Sequence, residues 1–297
     1  MKKQLKIGVV GLAGGWSSER LASSLEEKTG FKLLIDLEKT WIDLSQNKIY
    51  CEQTDLTCLD GLIIKKIGPN YSADMLNRLE MLRYLGKQGV LIFSRPSAII
   101  KSFNRLNGTL NLIKKGIPMP ETIITEDSKI AVQTVQRFGE AVFKPLFSTK
   151  ARGMLLLKKD DPELLKKIER FKENNPCLYI QKLLELPGRD LGVSFLGGKY
   201  LATYARVKKN ASWNTTINSG GEYQAFEPSK NIIKLAEKAQ KVFKLDFTSV
   251  DVVETAEGPM VFEVSAFGGF RGLLESQSID VADLYADYVI KKIKKEK

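Results

Sequence analysis

An α/β fold follows from three features of this 297-residue chain. Short β-rich runs alternate with helical patterns through residues 5–95, strands and helices alternate again from Thr122 to about Tyr179, and two turn-centred hairpins occupy the last third. At this length the chain holds about two domains and a substantial core.

The elements follow in order. Lys6–Val10 is a first strand whose apolar run breaks at glycines, and a helix near Ser18–Lys28 follows. Lys32–Leu37 and Gly61–Lys65 are strands, Ala73–Lys87 a helix and Val90–Phe93 a strand, an alternation that makes a mostly parallel sheet. Arg95–Lys115 reads as two short helices closing at Gly116, ahead of the break Ile117-Pro118-Met119-Pro120. The apolar strand Ala141–Phe143 runs into Lys144-Pro145. Val193–Tyr204 is a hairpin turning on Gly197-Gly198, and a final helix pair brackets a second hairpin. Repeats and long linkers are absent, so the domains pack closely around shared clefts.

Composition narrows the function. Apolar content of 43% with 27% charged residues is that of a globular protein, and no stretch approaches the roughly 20 apolar residues of a membrane span. The basic N-terminus reads as a first strand and not as an export signal. Three cysteines, Cys51, Cys58 and Cys177, fit neither a disulfide set nor a zinc motif and point to a reducing cytoplasm. The chain has no histidine, which excludes Ser-His-Asp hydrolysis and imidazole proton shuttling. The net charge of +11 suits a cleft that collects anions, and the C-terminal lysines form the solvated side of a terminal helix.

The most informative residues are two acids. Asp251, in Phe247-Thr248-Ser249-Val250-Asp251, and Glu263, in Met260-Val261-Phe262-Glu263-Val264, lie symmetrically about Ala256-Glu257-Gly258. A three-residue loop sets them opposite each other on one sheet face, about 5 Å apart, with Ser265 two positions on. Val250, Val252, Phe262 and Val264 then form the apolar reverse face. Like charges so placed call for a cation, and hard oxygen ligands suit Mg²⁺ with substrate phosphates completing its shell. A solvated polar hairpin face is the plain alternative, and one extra turn residue would put the acids on opposite faces.

Other segments have anion-binding chemistry. Lys144 ends a buried-looking strand, where an ammonium needs an anionic partner. Ser148-Thr149-Lys150-Ala151-Arg152-Gly153-Met154 is a small doubly basic loop suited to covering phosphates. Gly11-Leu12-Ala13-Gly14-Gly15 sits between a strand and a helix but matches neither dinucleotide nor P-loop spacing.

Taken in order, the strand lysine, the small glycine-containing loop, the strand ending Tyr179-Ile180-Gln181-Lys182-Leu183, the Gly188-Arg189-Asp190-Leu191 segment, the Gly-Gly turn and the Asp…Glu-x-Ser hairpin resemble the ATP-grasp superfamily. The likeness is to its RimK-type carboxylate–amine ligases. Gly14-Gly15-Trp16-Ser17-Ser18-Glu19, Lys65-Lys66-Ile67-Gly68-Pro69-Asn70-Tyr71-Ser72 and Ser212-Trp213-Asn214-Thr215-Thr216 also resemble the GAK-system ATP-grasp subgroup. The resemblance implies an ATP-grasp fold, α/β (α+β), with an N-terminal Rossmann-like pre-ATP-grasp domain at 1–96, a nucleotide-covering subdomain at 97–183 and a catalytic subdomain at 184–297.

It also implies an ATP- and Mg²⁺-dependent ligase that joins a carboxylate to an amine through an acyl phosphate. Lys144 and Arg105 would meet the phosphates, with Lys150, Arg152 and Gly153 in the covering loop. Gln181, Lys182 and Leu183 would form the adenine hinge, and Asp190 would lie near the ribose. Asp251, Glu263 and Ser265 would hold two Mg²⁺ ions, with Mn²⁺ as a substitute. Arg271 would clamp a carboxylate or oxyanion, and Arg206 and Asn214 would border the same cleft. Glu19 resembles the glutamate that meets a substrate ammonium in D-alanine–D-alanine ligases, although a glutamate in a helix's first turn needs no such role.

Three positions depart from the family pattern: Lys182 where glutamate is common, Ser265 where asparagine is usual, and residues 212–221, which lack arginine. These favour nucleotide binding over full activity and leave a catalytically weak nucleotide-binding module as one alternative. A basic nucleic-acid-binding protein is the other. The expected partners are a small carboxylate and an amine, with a peptide or protein acceptor and a homo-oligomer left open, and no nucleic acid or membrane.

Overall fold

A computed structural model of the protein describes residues 4–149, 151–209, 215, 217 and 220–296. The chain opens with β1 (Ile7–Val10), α1 (Trp16–Thr29) and β2 (Leu34–Ile35). It then forms a separate antiparallel ribbon of β3 (Thr40–Asp43), β4 (Lys48–Cys51) and β5 (Thr54–Asp55). β6 (Gly61–Ile64), α2 (Met75–Lys87) and β7 (Leu91–Phe93) complete a wholly parallel sheet in the order β2-β1-β6-β7. That sheet matches the sequence expectation, whereas the ribbon is an addition to it. The ribbon strands are only two to four residues long, too short to show a clear period.

Two short helices follow, α3 (Pro96–Phe103) and α4 (Arg105–Lys114). Asn104 caps α4 by accepting the Asn107 N–H at 3.2 Å, which places Arg105 at the first helical position. The second sheet is antiparallel, in the order β10-β9-β11-β8. It comprises β8 (Thr122–Thr125), β9 (Glu140–Lys144), β10 (Leu155–Lys158) and β11 (Leu178–Lys182). The helices α5 (Ser128–Phe138) and α6 (Leu164–Asn174) share its core, where Ala131, Val135 and Ile168 meet Phe143 and Ile180.

The third sheet is antiparallel, in the order β14-β13-β12-β15-β16. Its strands are β12 (Arg189–Leu196), β13 (Lys199–Val207), β14 (Glu222–Ala225), β15 (Phe247–Thr255) and β16 (Gly258–Ser265). The β12–β13 hairpin turns at Gly197 and Gly198, both at positive φ (58° and 77°), as a tight hairpin requires. One face of the sheet packs Val193, Val250, Val252 and Val264 in a core shared with Ile232 and Ala236 of α7 (Lys230–Lys241). The chain ends with α8 (Arg271–Gln277) and α9 (Val281–Glu296). α9 returns to the first sheet, and Ile293 lies so close to Gly61 that a Cβ there would be 2.5 Å from its Cδ1. Lys291, Lys292, Lys294 and Lys295 lie on α9 as its amphipathic pattern predicts, with Lys291, Lys292, Lys294 and Lys295 all outside its buried stripe. No described helix is long and apolar enough to cross a membrane.

Gly192 of β12 pairs with Tyr204 on one side and Asp251 on the other. Its missing side chain is filled by the Tyr204 ring, whose Cζ would lie 2.3 Å from a Cβ at that position. Because Tyr204 is itself pressed against Gly272 of α8, it has no room to retreat. Gly192→Ala is expected to destabilise the fold by about 1–3 kcal/mol through overpacking, measured by urea denaturation. A change within about 0.5 kcal/mol would show that the ring is free to move.

Candidate active site

The β15–β16 hairpin sets Asp251 directly opposite Glu263. It does so by a different route from the expected three-residue loop. Thr255 pairs with Gly258 across a two-residue turn, and the register then shifts by one residue between Asp251 and Val252. Val252 faces Val261 while Asp251 faces Glu263, so Phe262 is the extra residue of a bulge. Without the bulge, the two-residue turn would pair Asp251 with Phe262.

The bulge also corrects the apolar face. Val261, fully buried, joins Val250, Val252 and Val264, and Phe262 does not. Phe262 instead lies under the ammonium of Lys144, 4.9 Å from Nζ to the ring centroid. The extra residue therefore brings an aromatic face to the site along with the second carboxylate.

The cations that the facing acids call for are two arginines. Arg206 bonds Asp251 at 2.9 Å and also grips Asp190 with Nε and a terminal nitrogen. Thr215 donates its hydroxyl to Asp190 at 2.6 Å, so Asp190, 4% exposed, is committed within this network. Register explains the grouping, because Asp190 pairs with Arg206 across β12–β13. Burial opposes the charge on Arg206, but Asp190 and Asp251 outweigh it and hold the guanidinium well above its ordinary value. Burial pushes the Asp251 carboxyl up to about 7, with Arg206 acting in the opposite direction.

Glu263 is paired with Arg105 at 3.0 Å. The Arg105 guanidinium also donates to the Pro145 carbonyl at 3.2 Å and to Ser148 Oγ at 3.3 Å, and its backbone N–H donates to Leu146 at 3.0 Å. One residue at the start of α4 thus ties the exit of β9 to β16. Asp251 and Glu263 differ in access, at 17% and 43% side-chain exposure.

Lys144 ends β9 and is 9% exposed. Its Nζ donates to Gln181 Oε1, while the Gln181 amide donates to Thr122 Oγ1 at 3.1 Å. Burial, reinforced by the charge of Arg105, lowers the Lys144 ammonium to about 7, and Glu263 and Asp251 pull it back up. Lys182 is exposed, and the N–H groups of Lys182 and Leu183 donate to Glu121 and Glu140 carbonyls at 2.9 and 3.1 Å.

The remaining candidates are more dispersed. Arg152 and Gly153 are exposed, and Arg152 reaches Asn70 Oδ1 at 3.5 Å. Arg271 begins α8 with its guanidinium 5.2 Å from the Trp16 ring. Glu19 accepts the Gly14 N–H at 3.1 Å and so closes the glycine loop locally. Ser265 ends β16 opposite Ser249. Lys150 and Asn214 lie outside the described residues. From the sequence Phe262 belonged to the apolar face, and the Asn70–Tyr71 loop had no place in the site. Burial with a nearby Glu263 raises the Tyr71 phenol, while Arg152 opposes that rise. A string containing Asn70 and Tyr71 was visible, but nothing in it marked this proximity.

Asp251 and Glu263, side by side and backed by Ser265, form an all-oxygen donor set that fits Mg²⁺, which takes one or two protein carboxylates. Among the described residues no group of three or more His, Cys, Asp and Glu side chains could enclose a metal alone. A Mg²⁺ ion held by two carboxylates would complete its shell with water and substrate phosphate oxygens.

A profile of the RimK-like ATP-grasp domain matches residues 103–289. The chain belongs to the RimK-like ATP-grasp family. Among its relatives is the tetrahydromethanopterin:alpha-L-glutamate ligase of Methanosarcina acetivorans, 25% identical over 92% of this chain and 95% of that protein. A similar fold occurs in the ATP-grasp ligase PsnB complexed with a variant precursor, Mg and ADP, at TM-score 0.75 and 16% identity over 98% of this chain and 99% of that one. D-alanyl-alanine synthetase A of Vibrio cholerae matches at TM-score 0.73 and 14% identity over 99% and 98%. This RimK-like protein is an ATP-dependent carboxylate–amine ligase. The module and nucleic-acid alternatives are not favoured.

The depressed Lys144 gives a testable stability effect. Its folded value of about 7 lies below the ordinary 10.5, so between these values the unfolded chain binds the extra proton. The destabilising contribution is complete below pH 7 and is relieved as pH rises toward 10.5. Lys144→Met should therefore be more stable than wild type at pH 6.5, by a few kcal/mol at most, because each pH unit between the folded and unfolded values is worth about 1.4 kcal/mol. The gap should shrink by pH 9.5. Urea melts at the two pH values check this, and a pH-independent gap would contradict it.

Proposed function

We propose that the nucleotide lies between the second and third sheets, with its phosphates between Lys144 and the Asp251/Glu263 pair. The observation that carries this reading is the bulge-set opposition of the two carboxylates, facing a desolvated lysine over Phe262. When bound on Asp251, Glu263 and Ser265, Mg²⁺ would offset charge on the β/γ oxygens; two ions, with Mn²⁺ as a substitute, belong to the same proposal.

Lys144 would contact the α/β-phosphates, and phosphate charge would favour its protonated form. Arg105 would turn from Glu263 toward phosphate oxygens, which a guanidinium can hold bidentately. Arg152 and Gly153 would cover the phosphates and exclude water from the acyl phosphate. The base stacks at the Gln181–Leu183 hinge, where carbonyls must supply much of the recognition because the Lys182 and Leu183 N–H groups are engaged. Asp190 reaches a ribose only by loosening Arg206, so its stronger role is to hold Arg206 beside Asp251.

On the acceptor side, Arg271 would hold a carboxylate, with Arg206 and Asn214 bordering the cleft and Glu19 near an amine. The amine is an amino acid, and the glutamate named for the archaeal relative makes it the first candidate. A peptide acceptor is the second, supported by the precursor bound to PsnB.

The test is ADP release from Mg-ATP with L-glutamate and a panel of small carboxylates and peptides. Glu263→Ala is expected to lower Mg-dependent turnover at least 100-fold, about 2.7 kcal/mol, while remaining folded. Unchanged turnover would remove Glu263 from the metal site. In metal-free buffer, Lys144→Met should weaken ADP binding about tenfold, and equal affinity in calorimetry would take Lys144 out of the phosphate contact.

A further inference from the structure

Lys65 follows β6 at 3% exposure, and the reaction as described makes no use of it. Its Nζ donates to the carbonyl of Gly268 and lies 4.0 Å from the Phe270 ring centroid and 5.9 Å from that of Phe247. Gly268 is also packed tightly against β15: a Cβ there would be 2.8 Å from Phe247 Cε1 and 3.0 Å from the Ser249 backbone nitrogen. Gly269 is open by comparison, with nothing within 4 Å of a Cβ position. In the 266–270 segment that joins Ser265 to Arg271, Phe267 and Phe270 are held by apolar burial, and Gly268 carries the polar tie to Lys65 at the end of β6.

An amine with one carbonyl acceptor is a costly way to fill an apolar space that methionine would fill without a polar atom. Burial, with Lys66 adding repulsion, holds the Lys65 amine well below its ordinary value. A lysine placed there fits a need for geometry at a cost in stability.

We propose that Lys65 is a positioning residue for the acceptor side of the reaction. Through the Gly268 carbonyl it fixes the start of α8, and hence the placement of Arg271 against Trp16. The role given to Arg271 rests on the proposed function; the pinning of the segment does not.

Hydrogen exchange of the full chain, read by mass spectrometry, tests the pinning. Lys65→Met should raise exchange in residues 267–274 at least tenfold and leave β15 unchanged, with a Tm equal to or above wild type. Lys65→Gln, a donor on a shorter arm, should give an intermediate increase and serves if the methionine variant does not fold. In the ADP-release assay with L-glutamate, Lys65→Met should raise KM about tenfold, with no further loss when combined with Arg271→Met. Exchange in 267–274 within twofold of wild type would overturn the proposal. So would a lowered Tm with faster exchange everywhere, because that is a merely structural role. If wild type releases no ADP with any acceptor, the ligase reading fails while the exchange result stands on its own.

Discussion

Two carboxylates facing each other across neighbouring strands repel, and much of this protein's centre answers that repulsion. Arg206 meets Asp251 and Arg105 meets Glu263, each reaching in from a different part of the chain. Arg206 is held by Asp190 and Thr215, and Arg105 by two carbonyls and Ser148. Removing either arginine would leave a carboxylate without its cation, costly wherever water is largely excluded. The pairs differ in how readily they can open. Asp251 is enclosed, while Glu263 is nearly half exposed and its arginine sits at a helix start beside a loop. In the proposed site, Glu263 is therefore the side from which a competing cation and a phosphate would enter.

The same pairing joins the second and third sheets. Arg105 links the exit of β9 to β16, and Lys144 leans on Phe262 of β16 while bonding Gln181 of β11. Separately, Lys65 crosses from the first sheet to the segment after β16. These polar ties accompany continuous apolar cores, in which Leu62 and Ile64 of the first sheet share one cluster with Val193, Val250 and Val261 of the third.

Much of the fold was legible because its elements are locally consistent. The Gly197-Gly198 hairpin, the alternation through residue 95 and the amphipathic final helix each follow from nearby residues alone. The ribbon at 40–55 was not, because strands of two to four residues carry little periodic signal. The acid pair was legible as a symmetry but not in its mechanism. A two-residue turn and a bulge at Phe262 give the same opposition as a three-residue loop, and they send Phe262 to the other side. Asp190 and Arg206 were each read as ligand contacts, since a single residue's motif does not reveal its cross-strand partner. Lys65 reads in sequence as an ordinary strand-end lysine, and only the return of the chain 203 residues later buries it.

The proposed nucleotide site depends on Asp251 and Glu263 binding one divalent ion together across the bulged ribbon. Anomalous diffraction from crystals grown with Mn²⁺ and ADP addresses this directly. The expected result is a manganese peak about 2.1 Å from a carboxylate oxygen of each residue, with Arg105 turned away from Glu263. Nucleotide density with the manganese bound by neither carboxylate, and both arginine pairs intact, would contradict it.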